Sequence, residues 1–180
     1  TRGVVGMGDI ADIEDALQDL AELDALGIPA HAGVMAGVVE IDVQNAVEAA
    51  HSVQASWSAA TAHNRAQVLY YLVENLSART TEFAERIAVC TGIATTAADA
   101  EVARSIERLF LYAGLADKWD GRVHHTPFRN VTLAMPEPVG VIGVACPSES
   151  PLLGLISTVI PPVAMGNAVV AIPSETAPLV

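Results

Sequence analysis

Positive charge is scarce in this sequence, and no Lys or Arg follows Arg129. The chain carries 9 Lys and Arg against 21 Asp and Glu, which gives a formal net charge of -12 and a pI near 4.6. Proteins that bind nucleic acids need a basic surface to neutralise the phosphates. The composition therefore argues against a nucleic-acid partner.

Cysteine is equally scarce, with Cys90 and Cys146 as the only two. They do not form a C-x-x-C pair, and the first residues show no secretory signal pattern. Free thiols of this kind are typical of a reducing compartment, so the sequence predicts a cytoplasmic protein without a disulfide framework.

Charge is also missing from residues 150 to 174, a stretch about long enough to span a membrane as a helix. Three features argue against that interpretation: Pro151, the pair Pro161-Pro162 and the turn signal at Gly166-Asn167. A β-branched run follows and is typical of a strand. We therefore expect burial in protein rather than in a membrane.

The first part of the chain predicts a lead-in region, residues 1–41. Apolar residues from Ile10 to Leu26 recur every three or four positions, which predicts an acidic amphipathic helix over about 10–26. Residues 28–41 contain several Gly or Pro breaks and predict a connector that ends as a strand or turn.

The next region, from Asp42, predicts four amphipathic helices. Asp42 and Thr61 are candidate N-caps of the first two, and the second covers about 62–78. The third opens at Thr80 or Thr81 and ends at Gly92, and the fourth covers about 97–119. The side chains expected to face inward are Val43, Val47, Ala50, Trp57, Leu69, Leu72, Val73, Leu76, Phe83, Ile87, Cys90, Val102, Ile106, Leu109, Phe110 and Ala113.

The last region changes to the pattern of strands. The runs "VTLAMPEP" and "VGVIGVA" from Val131, and "AVVAI" at 168–172, predict strands, with a helix over about 151–165. Strand, helix and strand form a βαβ unit whose strands should be parallel. The fold class is therefore α/β: N-terminal helices followed by the start of a Rossmann-like parallel sheet. One such unit is too little for a nucleotide-binding domain, so we expect a segment of a larger protein or a sheet completed by another polypeptide.

The turn "CPSES", residues 146–150, is the candidate site. It follows a strand and opens a helix, where open α/β sheets bind ligands and helix N–H groups can face an anion. It lacks G-x-G-x-x-G and the P-loop pattern, so a turn that only joins two buried elements is an equal alternative. Glu149 could act as a general acid or base, but a solvated helix-start carboxylate is favoured, since no His or second carboxylate lies nearby in sequence.

Other reactive side chains have plainer interpretations. Cys146 has no adjacent His or cation to lower its pKa, so a packing role is favoured over a nucleophile. Cys90 is predicted to pack on the inner face of a helix. The pair His124-His125 lacks further ligands at metal-binding spacing, which favours a solvated loop.

Four segments resemble, in order, the N-terminal half of the aldehyde dehydrogenase superfamily. They are "DVQNAVEAAHSVQASWSAATAHNRAQVLYYLVENLSART", "LFLYAGLADKWDGRV", "EPVGVIGVACPSESPLL" and "PPVAMGNAVVAIPSETAPL". The resemblance runs from about Asp42 to the end and does not cover residues 1–41. It implies helices followed by a Rossmann-like NAD(P) domain, and a parent activity in which a cysteine thiolate attacks an aldehyde and hydride passes to the nicotinamide.

The resemblance also marks departures from the family pattern. Where the family has an Asn that donates to the developing oxyanion, this chain has Glu149, which would repel it. Where the family has a Lys that binds the adenosine ribose, this chain has Ile172. Ser174 and Glu175 remain as weak cofactor-binding candidates. The nucleophilic cysteine and general-base glutamate belong to later family sequence, so we expect no catalytic residue here and no NAD or NADP bound by this chain alone.

Both departures resemble the degenerate second domain of the tandem-domain (family 16) aldehyde dehydrogenases. That likeness implies a non-catalytic role in structure or assembly, with self-association or a preceding catalytic domain as the partner. The alternative is the N-terminal part of an active NAD-dependent aldehyde dehydrogenase.

Overall fold

The computed structural model describes residues 31–174, 177 and 178, and side chains from residue 43 onward. The helices are α1 (His31–Ala59), α2 (Ala62–Ala78), α3 (Thr80–Thr91), α4 (Thr95–Leu115) and α5 (Pro151–Ala164). The strands are β1 (Arg122–His124), β2 (Thr132–Ala134), β3 (Val141–Ala145) and β4 (Ala168–Ile172). The predicted acidic helix over 10–26 lies outside the described residues.

Helix α1 is longer than predicted. It begins at His31, so the predicted connector over 28–41 is wrong from residue 31 onward, and Asp42 lies inside the helix instead of capping it. The stretch from 31 to 41 contains Gly33 and Gly37 but no proline. A glycine inside a helix costs only about 1 kcal/mol relative to alanine, so it is a weaker break than the prediction assumed.

Helices α2, α3 and α4 follow the sequence prediction closely. Thr61 caps α2, accepting a hydrogen bond from the Asn64 N–H at 3.2 Å. Helix α3 ends at Gly92, whose φ of 73° is readily adopted only by glycine. Helix α4 begins two residues before the predicted start at 97 and ends four before the predicted end at 119.

The core forms around α4, which packs against α2, α3 and α5. Its buried hydrophobic residues are Ala66, Leu69, Val73, Leu76, Ala84, Ile87, Ala98, Val102, Leu109, Ala113, Ala116, Leu152, Ile156, Ile160 and Ala164. Two predicted core residues are exposed instead, Leu72 at 44% and Phe110 at 57%. Both border a buried stripe that their neighbours already fill, and the Phe110 ring packs edge-on against Tyr70 with centroids 5.3 Å apart.

The βαβ unit has the predicted parallel topology. Strands β3 and β4 pair from Val141 opposite Ala168 to Ala145 opposite Ile172, and α5 connects them. Gly143 and Ala145 lie on one face of β3 and are exposed, so that face of the strand is not covered by the described residues. Among the described residues β3 has no strand on its other side.

A second, antiparallel sheet consists of β1 and β2. The strand predicted from Val131 is confirmed only over β2, and β1 was not predicted because three residues give no readable alternation. Within residues 31–174 no helix is both long and apolar enough to cross a membrane.

Candidate active-site turn and its supports

The turn 146–150 begins at the carboxyl end of β3 and is tied to the end of β4. The Cys146 N–H donates to the Ile172 carbonyl at 2.9 Å, continuing the parallel ladder by one bond. The structure thus brings the turn and Ile172 together at one edge of the sheet. This is the edge where open parallel sheets bind their ligands.

The turn folds back closely onto the first turn of α5. A Cβ built on Gly154 would lie 2.4 Å from Cγ of Pro147, and the Gly154 N–H donates to the Ser150 carbonyl at 2.6 Å. Because any side chain at 154 would collide with the proline ring, this close approach requires glycine.

The N-terminus of α5 is capped from a distant helix. Pro151 occupies the first turn and has no N–H, and the Ser150 side chain makes no capping bond. Instead Oε1 of Glu101, on α4, accepts the N–H groups of Leu152 at 3.0 Å and Leu153 at 3.3 Å. The expectation that helix-start N–H groups are free to face an anion is therefore wrong for these two.

Sequence reasoning missed Glu101, although a signal was present. Glu101 is only 3% exposed and shares a buried face of α4 with Ala98 and Ser105. A carboxylate within the apolar stripe of a helix must find hydrogen-bond donors, because burying it unpaired is costly. The position of Glu101 three residues after Ala98 could have flagged it.

The remaining predicted site residues lie as follows. Glu149 is exposed on the turn, and Ile172 is 59% exposed at the end of β4. Ser174 is buried and already has an interaction partner within the protein, whereas Glu175 lies outside the described residues. The hydrocarbon side chain of Ile172 cannot donate a hydrogen bond to a ribose, and an ionised Glu149 can only accept hydrogen bonds.

The two cysteines are free thiols and both are half-buried. The Cys146 sulfur lies 4.0 Å from the Thr158 hydroxyl, a contact that does not activate a thiol as a cation would. His124 and His125 are exposed. In the part of the chain that the structure describes, no group of three or more His, Cys, Asp or Glu could hold a metal ion.

The opposite end of α5 is held by side chains of α1 and α2. The Trp57 indole donates to the Val163 carbonyl at 2.9 Å, and Nε of Arg65 donates to the Ala164 carbonyl at 3.0 Å. Gln54 donates to the Gly166 carbonyl at 3.3 Å and accepts the N–H of residue 168 at 2.6 Å. The Arg65 bond satisfies the carbonyl of Ala164, the last residue of the helix, which has no acceptor role within the helix itself.

Asn167 completes that end from the α5–β4 turn. It is 5% exposed, and its Oδ1 accepts the N–H groups of Val139 at 2.6 Å and Gly140 at 3.0 Å. Its Nδ2 donates to the Pro162 carbonyl at 3.0 Å. Sequence identified Asn167 only as a turn signal, since its partners depend on how β3 packs beside α5.

The sequence of this chain is similar to a known protein family and to several of its members. A family model described as "Aldehyde dehydrogenase family" matches residues 29–180. An aldehyde dehydrogenase of Agaricus bisporus is 34% identical over 143 residues, which cover 78% of this chain and 29% of that protein. The cytosolic 10-formyltetrahydrofolate dehydrogenase of Pongo abelii is 34% identical over 145 residues, covering 77% of this chain and 16% of the relative.

Solved structures show the same likeness. A glyceraldehyde-3-phosphate dehydrogenase of Methanocaldococcus jannaschii complexed with NADP superposes with a TM-score of 0.73 at 26% identity, over 77% of this chain and 30% of that one. A betaine aldehyde dehydrogenase variant of Staphylococcus aureus in complex with NAD⁺ gives 0.73 at 28% identity, over 77% and 28%. The chain thus spans less than a third of the length of these relatives.

Proposed function

Because this chain belongs to the aldehyde dehydrogenase family, we propose that it forms a non-catalytic, structural part of such a protein. The parent activity would be NAD(P)-dependent oxidation of an aldehyde to a carboxylic acid. Of the subgroups of the family, the tandem-domain (family 16) proteins with a degenerate second domain offer the best parallel, because both departures at positions 149 and 172 occur together here.

Glu149 is the observation that carries the proposal. It lies on the turn that would face the reacting carbonyl, and it is exposed. Oxyanion stabilisation requires a hydrogen-bond donor at this place, whereas an ionised carboxylate only accepts and repels the developing negative charge. The Leu152 and Leu153 N–H groups do not compensate, because Glu101 already receives them.

The cofactor edge supports the same proposal. Ile172 ends β4 with an exposed hydrocarbon side chain, which cannot donate a hydrogen bond to a ribose. NAD or NADP would belong to the parent protein rather than to this chain alone.

Calorimetry tests this proposal. NAD⁺ and NADP⁺ are titrated into the 180-residue chain and into its Glu149→Asn/Ile172→Lys variant, with an active family member as positive control. We expect no heat of binding from the unaltered chain. Micromolar binding of either dinucleotide to it would contradict the non-catalytic role.

An active enzyme of which this is the N-terminal part is the second candidate. The 34% identity to the Agaricus bisporus aldehyde dehydrogenase, over 78% of this chain, favours it. The coding sequence beyond Val180 separates the two: a cysteine in a glycine-rich motif there favours the active enzyme, and its absence favours the structural role.

We further propose association, either with a second copy or with a preceding catalytic domain. The region of the β1–β2 sheet presents exposed large apolar side chains, namely Trp119, Val123, Phe128, Val131, Leu133, Met135 and Val139. Clustered apolar exposure of this kind marks interaction surfaces. Sedimentation velocity should show species larger than a monomer, and a monodisperse monomer would argue against self-association.

We also propose a cytoplasmic location for the protein. The two free thiols, Cys90 and Cys146, agree with it.

A further inference from the structure

The first N–H groups of α5 find their hydrogen-bond acceptor on a different helix, α4. The first residue of α5 is a proline, and the side chain of its N-cap, Ser150, makes no capping hydrogen bond. The N–H groups of Leu152 and Leu153 would therefore be unsatisfied within the turn itself. A single oxygen from a residue about fifty positions earlier satisfies both.

The bond partner is a carboxylate rather than a neutral acceptor. Helix N-termini carry partial positive charge and exposed N–H groups, which together attract anions such as phosphate or carboxylate. Glu101 is almost completely buried there, so a protein side chain occupies the position that a bound anion would take.

The Glu101 carboxylate lies where the turn 146–150 leads into α5. Pro147 packs against Gly154 on one side, and Glu101 holds residues 152 and 153 on the other. Residues 148 to 150 lie between these two anchors. Their orientation, including that of Glu149, therefore depends on the Glu101 contact.

We propose that Glu101 is a positioning residue, which fixes the turn 146–150 by filling the anion position at the start of α5. The inference goes beyond the proposed function and holds whether or not the parent protein is active. It assigns to the helical layer a direct role in shaping the ligand edge of the sheet.

Amide hydrogen exchange followed by NMR tests the positioning. In Glu101→Ala, the Leu152 and Leu153 amides should exchange about tenfold faster or more than in the unaltered chain, because one buried and one partly buried N–H group lose their acceptor. Glu101→Gln keeps an acceptor oxygen and should retain most of the protection. Glu85→Ala, which removes an exposed glutamate on α3, is the matched control and should leave both amides unchanged.

The Leu109 amide, in the core of α4, reports global opening. If Glu101→Ala raises exchange at Leu109 by the same factor as at Leu152 and Leu153, or leaves the latter two unchanged, the positioning role is overturned. Should the alanine variant fail to fold, the glutamine variant still decides, because strong protection loss in it at Leu152 and Leu153 alone would contradict the acceptor role.

Added formate distinguishes an anion position from a purely structural role of the Glu101 side chain. It is a small carboxylate that fits the space left by the Glu101→Ala side chain, and it should slow exchange of the Leu152 and Leu153 amides in that variant. Chloride at equal ionic strength should not. Selective exchange that formate does not reduce would overturn the claim that Glu101 fills an anion position.

Discussion

The start and the end of α5 are held by the rest of the chain in different ways. At the start one carboxylate, Glu101, accepts two N–H groups. At the end Gln54, Trp57, Arg65 and Asn167 share the bonds. The start of α5 thus depends on the hydrogen bonds of one side chain, whereas four side chains make hydrogen bonds at or beside its end.

The groups at the two ends of α5 carry opposite charges, each of the sign that the helix dipole favours at that end. The anionic group lies at the N-terminus of α5, and the cationic group, Arg65, lies at its C-terminus. A crossover helix made almost wholly of apolar residues is therefore fixed along its axis by polar groups from α1, α2 and α4. The helical layer and the βαβ unit should consequently unfold together.

The largest expected effect comes from Asn167, at the end of α5. Asn167→Ala removes three hydrogen bonds and leaves the Val139 and Gly140 N–H groups without their acceptor. Because each of the three hydrogen bonds contributes about 1 kcal/mol, we expect a loss of about 3 kcal/mol in the free energy of unfolding. Urea unfolding followed by circular dichroism measures it.

Asn75→Ala is the matched control. Asn75 is exposed, and its side chain donates only to the Tyr71 carbonyl within its own helix. It should change the free energy of unfolding by less than about 0.5 kcal/mol. Equal losses in the two variants would show that the end of α5 carries no special stabilisation.

A smaller effect is expected from Gly154, at the start of α5. Gly154→Ala places a Cβ 2.4 Å from Pro147, which must move. Overpacking of this kind costs about 1–3 kcal/mol, and we expect about 2 kcal/mol in urea unfolding. Gly143→Ala is the control, because its added Cβ meets nothing within 4 Å. A neutral Gly154→Ala would mean that the turn is free to shift, contrary to the anchoring described above.

The sequence predicted the elements that depend on local pattern and missed those that depend on packing between distant segments. Thr61, Gly92 and the parallel pairing of β3 with β4 follow from caps, glycine and β-branched runs. Glu101 and Gln54 could not be assigned partners, because each bonds to backbone more than fifty residues away. Periodicity shows which face of a helix is buried, but not which carbonyl or N–H group lies opposite.

The candidate site divides in the same way. The turn 146–150 was identified by its place between a strand and a helix, and Ile172 by family resemblance. Both lie at one edge, since the Cys146 N–H donates to the Ile172 carbonyl. The state of the helix-start N–H groups was mispredicted, because their acceptor comes from α4. Resemblance carries over positions, whereas hydrogen-bond partners have to be read from the structure.

The smallest expected loss in the free energy of unfolding comes from an ion pair on the surface of α3. It provides a reference for the losses expected at the two ends of α5. A hydrogen bond from Arg79 at 2.7 Å lowers the pKa of Glu82 from its ordinary value, although both side chains are largely exposed. A lowered pKa in the folded state stabilises the fold above the unfolded pKa of about 4.3, and this stabilisation is lost as pH falls through the folded pKa. Arg79→Gln should raise the Glu82 pKa, as followed by NMR titration, and should lower stability slightly at pH 7 but not below that window.

Arg104→Gln, which removes an exposed arginine bonded only to a backbone carbonyl of its own helix, is the control. Because exposed pairs contribute little, an Arg79→Gln loss as large as that of Asn167→Ala would invalidate the contrast between buried and surface polar contacts.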